Sequence, residues 1–257
     1  MKVFKNLYQY RELLKSNIKK EIRGKYKGSF LGVLWSFVNP LLMVLVYAIV
    51  FPFIMKSNED NYLIFLIVAI IPWNFFITVV NQSSTTVIQN ANIIKKVYFP
   101  REILPISIVT SGLVNFLISC LIIFVFLLFS GVGFSINLLF LPLIIIIQYI
   151  LLLSISFVLS SVNVYVRDVE YIVNFIVTML FYMTPVLYPM SFIPDKLRFI
   201  FNLNPMAHII NAYRDVLYYK ISPDFVSVGA IGIISIILLF IGYVIFRKLE
   251  KGFAEEL

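Results

Sequence analysis

The sequence predicts an all-α, polytopic membrane protein with six transmembrane helices. Three observations lead there. Hydrophobic residues make up 61% of the 257 and charged residues only 13%, whereas a soluble domain holds about a quarter charged residues and under half apolar ones. The apolar residues fall in long runs, and the mean hydropathy is +0.96. Those runs, such as 121–129 and 143–147, do not alternate apolar with polar positions, as the strands of a transmembrane barrel would.

A helix needs about 20 apolar residues to cross a hydrocarbon core of roughly 30 Å. Six segments qualify: 33–55, 62–80, 105–130, 138–162, 171–188 and 225–246, and every Lys, Arg, Asp and Glu lies outside them. Nine basic residues precede the first span (Lys2, Lys5, Arg11, Lys15, Lys19, Lys20, Arg23, Lys25 and Lys27) against Glu12 and Glu21. With that end in the cytoplasm, 16 of the 21 basic residues fall in cytoplasmic segments, as the positive-inside rule requires. Both termini are then cytoplasmic. The net charge of +8 reads as orientation and attraction to anionic membrane lipid, and its placement argues against a nucleic-acid partner.

The whole chain, 1–257, reads as a single transmembrane domain. Its cytoplasmic segment 1–32 opens with an amphipathic helix over 4–23. Phe4, Leu7, Leu14, Ile18 and Ile22 mark one side, with Arg11, Lys15, Lys19 and Lys20 on other faces. Such a helix lies in the headgroup boundary with its amines in water. The first 30 residues hold no short apolar core with a cleavage site, which argues against a removable signal peptide. Gly28 and Gly32 permit the turn from surface to span, and Trp35 suits the interface. Asn39-Pro40 follows within the first span, where Pro40 removes a backbone hydrogen bond and predicts a kink.

Spans one to five occupy 33–188. Between the second and third, 81–104 is polar and then basic: Gln82-Ser83-Ser84-Thr85-Thr86, followed by NIIKKVYFPRE over 92–102. That pattern predicts a loop carrying a short cytoplasmic helix on which another component docks. Residues 163–170 form a short inner loop whose charges of note are Arg167 and Asp168. The outer segment 189–224 is too apolar for a free loop. It predicts two short helices, at 195–201 and 206–217, dipping back into the outer leaflet, where irregular backbone survives only against protein or water. Span 225–246 and the tail 247–257 complete the chain.

No Gly-x-x-x-x-Gly-Lys-Ser/Thr loop occurs, so the chain cannot cradle ATP by itself. No Ser/His/Asp set or carboxylate pair points to an enzyme. The single cysteine, Cys120, and single histidine, His208, build neither a disulfide framework nor a metal site. Ion-coupled carriers place Asp, Glu, Lys or His within their spans; these spans hold none, which favours energy from a partner over an ion gradient, although Na⁺ sites can also be built from backbone carbonyls. Tyr47, Phe51, Phe75, Phe76, Phe175, Phe181 and Tyr182 lie within the spans. Aromatic faces pack against the C–H faces of sugar rings, so these residues suit a glycan passage. Packing against lipid or neighbouring helices is the alternative for each.

Several fragments taken in order are specific: RGKYKGSFLGVLWSFVNP (23–40), IPWNFF (71–76), NIIKKVYFPREILP (92–105), VYVRDVE (164–170), TPVLY (184–188) and NPM (204–206). On them the chain resembles, nearly end to end, the membrane subunit of type 2 ABC exporters that move O-antigen, capsular polysaccharide or teichoic acid. The resemblance implies a homodimeric channel in the bacterial cytoplasmic membrane. Two nucleotide-binding subunits below it carry the ATP and Mg, so this chain needs no cofactor of its own. It assigns ATPase coupling to Asn92, Lys95, Lys96, Tyr98, Arg101 and Glu102, with a lesser contact at Arg167 and Asp168. Lys19, Lys20, Arg23, Lys25 and Lys27 would attract the pyrophosphate of a lipid-linked glycan. Gly28, Gly32, Trp35, Asn39 and Pro40 would form the bend into the first span, and the aromatics above would line the channel. An exporter of drugs or small lipids on the same scaffold, or a partner-independent carrier, are the other readings. Which polysaccharide would be carried is not encoded in any of these fragments.

Overall fold

The computed structural model describes residues 8–24, 32–55 and 61–257. Lys25, Lys27 and Gly28 lie outside the described residues, as do Phe4 and Leu7 of the amphipathic pattern and the Phe51 side chain. The described chain is helical, in ten principal helices: α1 (Arg11–Gly24), α2 (Trp35–Met55), α3 (Tyr62–Gln89), α4 (Ala91–Lys96), α5 (Ile103–Phe129), α6 (Leu141–Tyr165), α7 (Val169–Tyr182), α8 (Asp195–Asn202), α9 (Pro205–Arg214) and α10 (Phe225–Leu249). Four of them, α3, α5, α6 and α10, are long and apolar enough to cross a bilayer. Two shorter apolar helices accompany them: α7, and α2 with its described apolar stretch Val38–Tyr47.

Helix α3 is the post around which the rest packs. It touches α2, α5, α6, α7 and α9, and Phe65–Ile71 is buried on every side. A helix that is hydrophobic all round belongs in the interior of a bundle. Its 28 residues make a rod of about 42 Å, longer than the hydrocarbon core. The sequence predicts a loop from Asn81 onward, yet the helix runs on to Gln89. The small polar residues make this affordable: Ser84 and Thr85 donate to the carbonyls of Asn81 and Gln82, and Ser83 to Ser156 Oγ on α6 at 2.8 Å. Higher up, Gln148 of α6 donates to Pro72 O of α3 and accepts from Tyr213 of α9, both at 2.9 Å. Such bonds hold helices together in lipid, where apolar contact alone gives little preference for protein over tails.

Small residues set the closest approaches. A Cβ on Gly242 of α10 would lie 2.7 Å from the Ser154 carbonyl oxygen of α6, and one on Gly112 of α5 would lie 2.4 Å from a methyl of Val79 on α3. Gly32, at φ +50°, opens the turn that leads into α2, a conformation glycine adopts without strain. Helix α2 then continues through Pro40 to Met55.

The fifth segment departs from the prediction. A span over 171–188 is expected, but α7 stops at Tyr182 after 14 residues, about 21 Å of helix. Pro185 cannot supply the amide that would continue the ladder, and 183–188 is irregular. Two short helices do form before the last long one, at α8 and α9, with a π-turn over Asp215–Tyr219 lengthening the second.

Gly242→Ala tests the α6–α10 seam. The methyl meets backbone rather than a yielding side chain, so it should cost about 1–3 kcal/mol, read as a lowered melting temperature of the detergent-solubilised protein. An unchanged melting temperature would show that the helices part freely there.

Candidate functional site

Two ends and one face of the bundle carry the chemistry. At the basic end, α4 turns Ile94 inward and leaves Asn92, Ile93, Lys95 and Lys96 outward. Val97 and Tyr98 extend the outward surface, Tyr98 being 91% exposed. An apolar patch flanked by two ammonium groups suits a protein partner better than water does. Arg167 and Asp168 are exposed in the turn between α6 and α7.

The other two residues expected there face the opposite way. Arg101 donates to the Glu250 carbonyl and lies 5.8 Å over the Phe253 ring. Glu102 is completely buried, with Oε2 3.8 Å from Arg247 Nη1. Both therefore join the loop to the chain's last residues. Phe253 is itself fully buried, edge-on to Phe246 at 5.7 Å and tilted against Tyr165, and Tyr165 donates to Leu249 O at 2.8 Å. Burial raises the Glu250 carboxyl above its ordinary range, and Arg247 beside it pulls the other way. The tail thus ties the α4 loop to the α6–α7 turn through one small apolar core. Sequence reasoning missed this role because a two-turn tail shows no periodicity.

Helix α1 belongs to the same core. Tyr10, Leu13 and Leu14 pack against it, and α1 lies on α5, so its apolar side meets protein as well as any headgroup. Lys20 donates to Asn90 Oδ1 at 2.9 Å, while Lys19 and Arg23 stay exposed. Burial raises the Glu21 carboxyl, opposed by Lys20.

The face is that of α7. Tyr171, Asn174, Phe175, Thr178 and Tyr182 follow one another at helical spacing and are all exposed. By contrast, α10 exposes Ile233, Ile237 and Phe240, and α5 exposes Leu117, Leu121 and Leu128. Exposed faces that are apolar throughout suit lipid; an exposed amide and hydroxyl between aromatic rings suit a wetter neighbour. Phe181 turns inward, stacking on Tyr47 at 6.3 Å and against Trp73 at 5.7 Å. Phe75 and Phe76 are buried, the former stacked on Phe116 at 5.0 Å. Of the described rings expected in a channel, Phe175 and Tyr182 are therefore the exposed ones in the single chain. Trp35, Asn39, Pro40 and Phe75 instead line a cleft of about 330 Å³ between α2, α3 and α5.

The opposite end is built on a broken backbone. Every carbonyl from Met183 to Tyr188 accepts a hydrogen bond. Arg214, 2% exposed, donates to Pro185 O, to Val186 O at 2.7 Å and to Tyr188 O at 3.4 Å. Asn204 donates to Met183 O, Tyr62 to Leu187 O, and the Val186 amide to Thr184 O. The guanidinium also lies 3.5 Å over the Phe65 ring. Beyond it, a second cavity of about 380 Å³ opens between α9 and α10, lined by His208, Asn211, Asp215 and Asp224. Burial pushes Asp215 up to about 6.

A described chain that is helical, with four helices long and apolar enough to cross a bilayer and two shorter apolar ones, fits a polytopic membrane protein. Over residues 12–218 the chain matches the ABC-2 type transporter family, and it belongs to that family. It is a multi-pass membrane permease subunit without an ATPase domain. The O-antigen export system permease protein RfbA of Myxococcus xanthus is 34% identical over the full length of both chains. An RfbA of Klebsiella pneumoniae is 36% identical, covering 98% of this chain and 97% of its own. The polysialic acid transport protein KpsM of Escherichia coli is more distant, 22% identical over 91% of this chain and 92% of its own.

Phe253→Ala should remove about 3–5 kcal/mol from the core at the basic end. Hydrogen exchange should then quicken at the amides of 97–102 and 165–168 while α3 stays protected. Unaltered exchange in both segments would mean that the tail does not hold them.

Proposed function

We propose that this chain is the channel-forming permease subunit of an ATP-driven exporter of lipid-linked polysaccharide of the O-antigen type. One observation carries the reading: the likeness to O-antigen export permeases runs from end to end of both chains. In this reading six helices span the bacterial inner membrane, α7 completing its crossing with the irregular stretch to Tyr188. The basic end, with both termini, faces the cytoplasm, as its concentration of Lys and Arg favours. Two copies form one channel, with two ATPase subunits binding ATP and Mg beneath it.

The roles follow from placement. Asn92, Lys95, Lys96 and Tyr98 form the docking patch, with Arg167 and Asp168 as its smaller companion. Arg101 and Glu102 act through the tail, keeping that patch rigid against α10. Lys19, Lys20, Arg23, Lys25 and Lys27 receive the pyrophosphate of the lipid-linked glycan by charge-assisted hydrogen bonds. Closure of the ATPase pair pushes on α4, and the α3 post carries the push into the bundle. Movement about Gly28, Gly32, Trp35, Asn39 and Pro40 lets α2 swing. The glycan passes along the seam beside Phe175, Tyr182 and the half-buried Tyr47 and Phe181, with Phe51, Phe75 and Phe76 reached as α2 moves. Sugar hydroxyls are costly to strip of water, so the seam is wide and wet.

The test is co-purification with an ATPase subunit, then hydrolysis in lipid with and without lipid-linked polysaccharide. A stable complex whose hydrolysis responds to the glycan is expected. Replacing Lys95, Lys96 and Tyr98 together by Ala should weaken docking at least tenfold, about 1.4 kcal/mol. Full coupling in that variant would remove the docking assignment. Solute movement driven by an ion gradient, with no ATPase bound, would replace the exporter by a carrier.

A further inference from the structure

The cleft between α2, α3 and α5 has a lining at odds with its place in the bundle. It lies beside the middle turns of α3 and α5, both long enough to cross a bilayer, at a depth where polar side chains are costly and mark function. Yet Asn39, Asn74 and Asn115 converge on it from three different helices, joined by Thr78 and Ser119. The side-chain oxygen of Asn115 is shielded from solvent and accepts no hydrogen bond from the described residues. A shielded amide oxygen left in that state is destabilising, and a donor brought in by a ligand would relieve it.

The lining also defines what that ligand is. Among the described residues no Lys, Arg, Asp or Glu faces the cleft, so it has nothing with which to hold a phosphate or carboxylate. Amides and hydroxyls both donate and accept, matching the alternating needs of sugar hydroxyls. Trp35 and the stacked pair Phe75 and Phe116 add aromatic surface to the lining, and aromatic surface suits the C–H groups of a pyranose. At about 330 Å³ the cleft is at the small end of ligand pockets, which run from about 300 to 1,000 Å³. That is room for a short stretch of saccharide rather than a lipid tail. Its wall includes Gly112, where any Cβ would crowd Val79 and Phe75.

We infer that this cleft is a binding subsite for uncharged sugar residues, set inside each protomer and separate from the exposed stripe on α7. It rests on the exporter reading. The amides replace the water a sugar leaves behind as the chain enters the bundle, and the Asn39-Pro40 turn of α2 forms its movable wall.

The test uses the chain's single cysteine to advantage. In a Cys120→Ser background, Thr78→Cys and Asn115→Cys are introduced separately, with Leu121→Cys on the exposed aliphatic face of α5 as control. Each is assembled with the ATPase in lipid and treated with a water-soluble, charged thiol reagent. Residues 78 and 115 should react at least tenfold faster than 121, and lipid-linked polysaccharide extracted from the producing cells should slow them severalfold. Thr78→Cys is nearly isosteric and keeps the test valid should Asn115→Cys fail to assemble. Reaction no faster than at 121 would show a dry cleft and overturn the inference. So would rapid reaction that the glycan leaves unchanged while it still stimulates ATP hydrolysis, and the exporter reading would then stand alone. Hydrolysis that ignores the glycan would remove the exporter and the subsite with it.

Discussion

Six consecutive carbonyls, Met183 to Tyr188, have to find donors inside a bundle surrounded by lipid, and the upper half of the molecule is arranged around that need. A continuous helix would satisfy them internally, but Pro185 breaks the helix that would carry them and Pro189 lacks the amide that would serve Pro185 O. Thr184 O accepts from the Val186 amide, and the other five carbonyls find donors in Arg214 and Asn204, at the two ends of α9, and in Tyr62 at the head of α3. A guanidinium offers five donors in a fixed fork, which lets one side chain serve three carbonyls. The ring of Phe65 beneath it offsets part of the cost of burying the charge. Helices α3, α7 and α9 are thereby locked into one unit around a short non-helical plug.

The basic end solves a different problem. An exposed patch can transmit force only if it is stiffly attached, and α4 is six residues long. Stiffness comes from the core formed by Ile94, Phe99, Phe246 and Phe253, with α1 packed outside it. Arg101 and Glu102 contribute through bonds to the tail rather than by facing a partner. The 28-residue α3 touches α4 at this end and α9 at the other, so one rod joins the basic end to the plug.

The four long apolar helices were legible because hydropathy reports burial away from water directly. What pattern reading lost was partnership across long sequence distances. Residues 81–89 look like a loop until Ser156, on another helix, is seen to accept Ser83. Val186 and Leu187 look like the end of a span because they are apolar and buried, although Pro185 was a visible warning. Arg214 reads as one more outer charge; its burial depends on carbonyls nearly thirty residues earlier. The exposed basic segment 92–98 was legible by composition, but irregular backbone has no period, so the inward turn of Arg101 and Glu102 beside an outward Tyr98 could not be read from spacing. The cleft asparagines were hidden for a similar reason: each is an isolated amide in its own span, and only packing brings them together.

The most direct measurement is limited proteolysis, with thermal unfolding, of Arg214→Met and Arg214→Lys in lipid. Methionine keeps the bulk but none of the donors, leaving three carbonyls exposed to apolar surroundings at about 1–3 kcal/mol each. The plug should open to cleavage within 183–204 and the melting temperature should fall sharply. Lysine, a point charge with shorter reach, should rescue only part of the loss. A methionine variant as resistant and as stable as the parent would contradict the account, since the broken segment would then hold its shape without the side chain assigned to hold it.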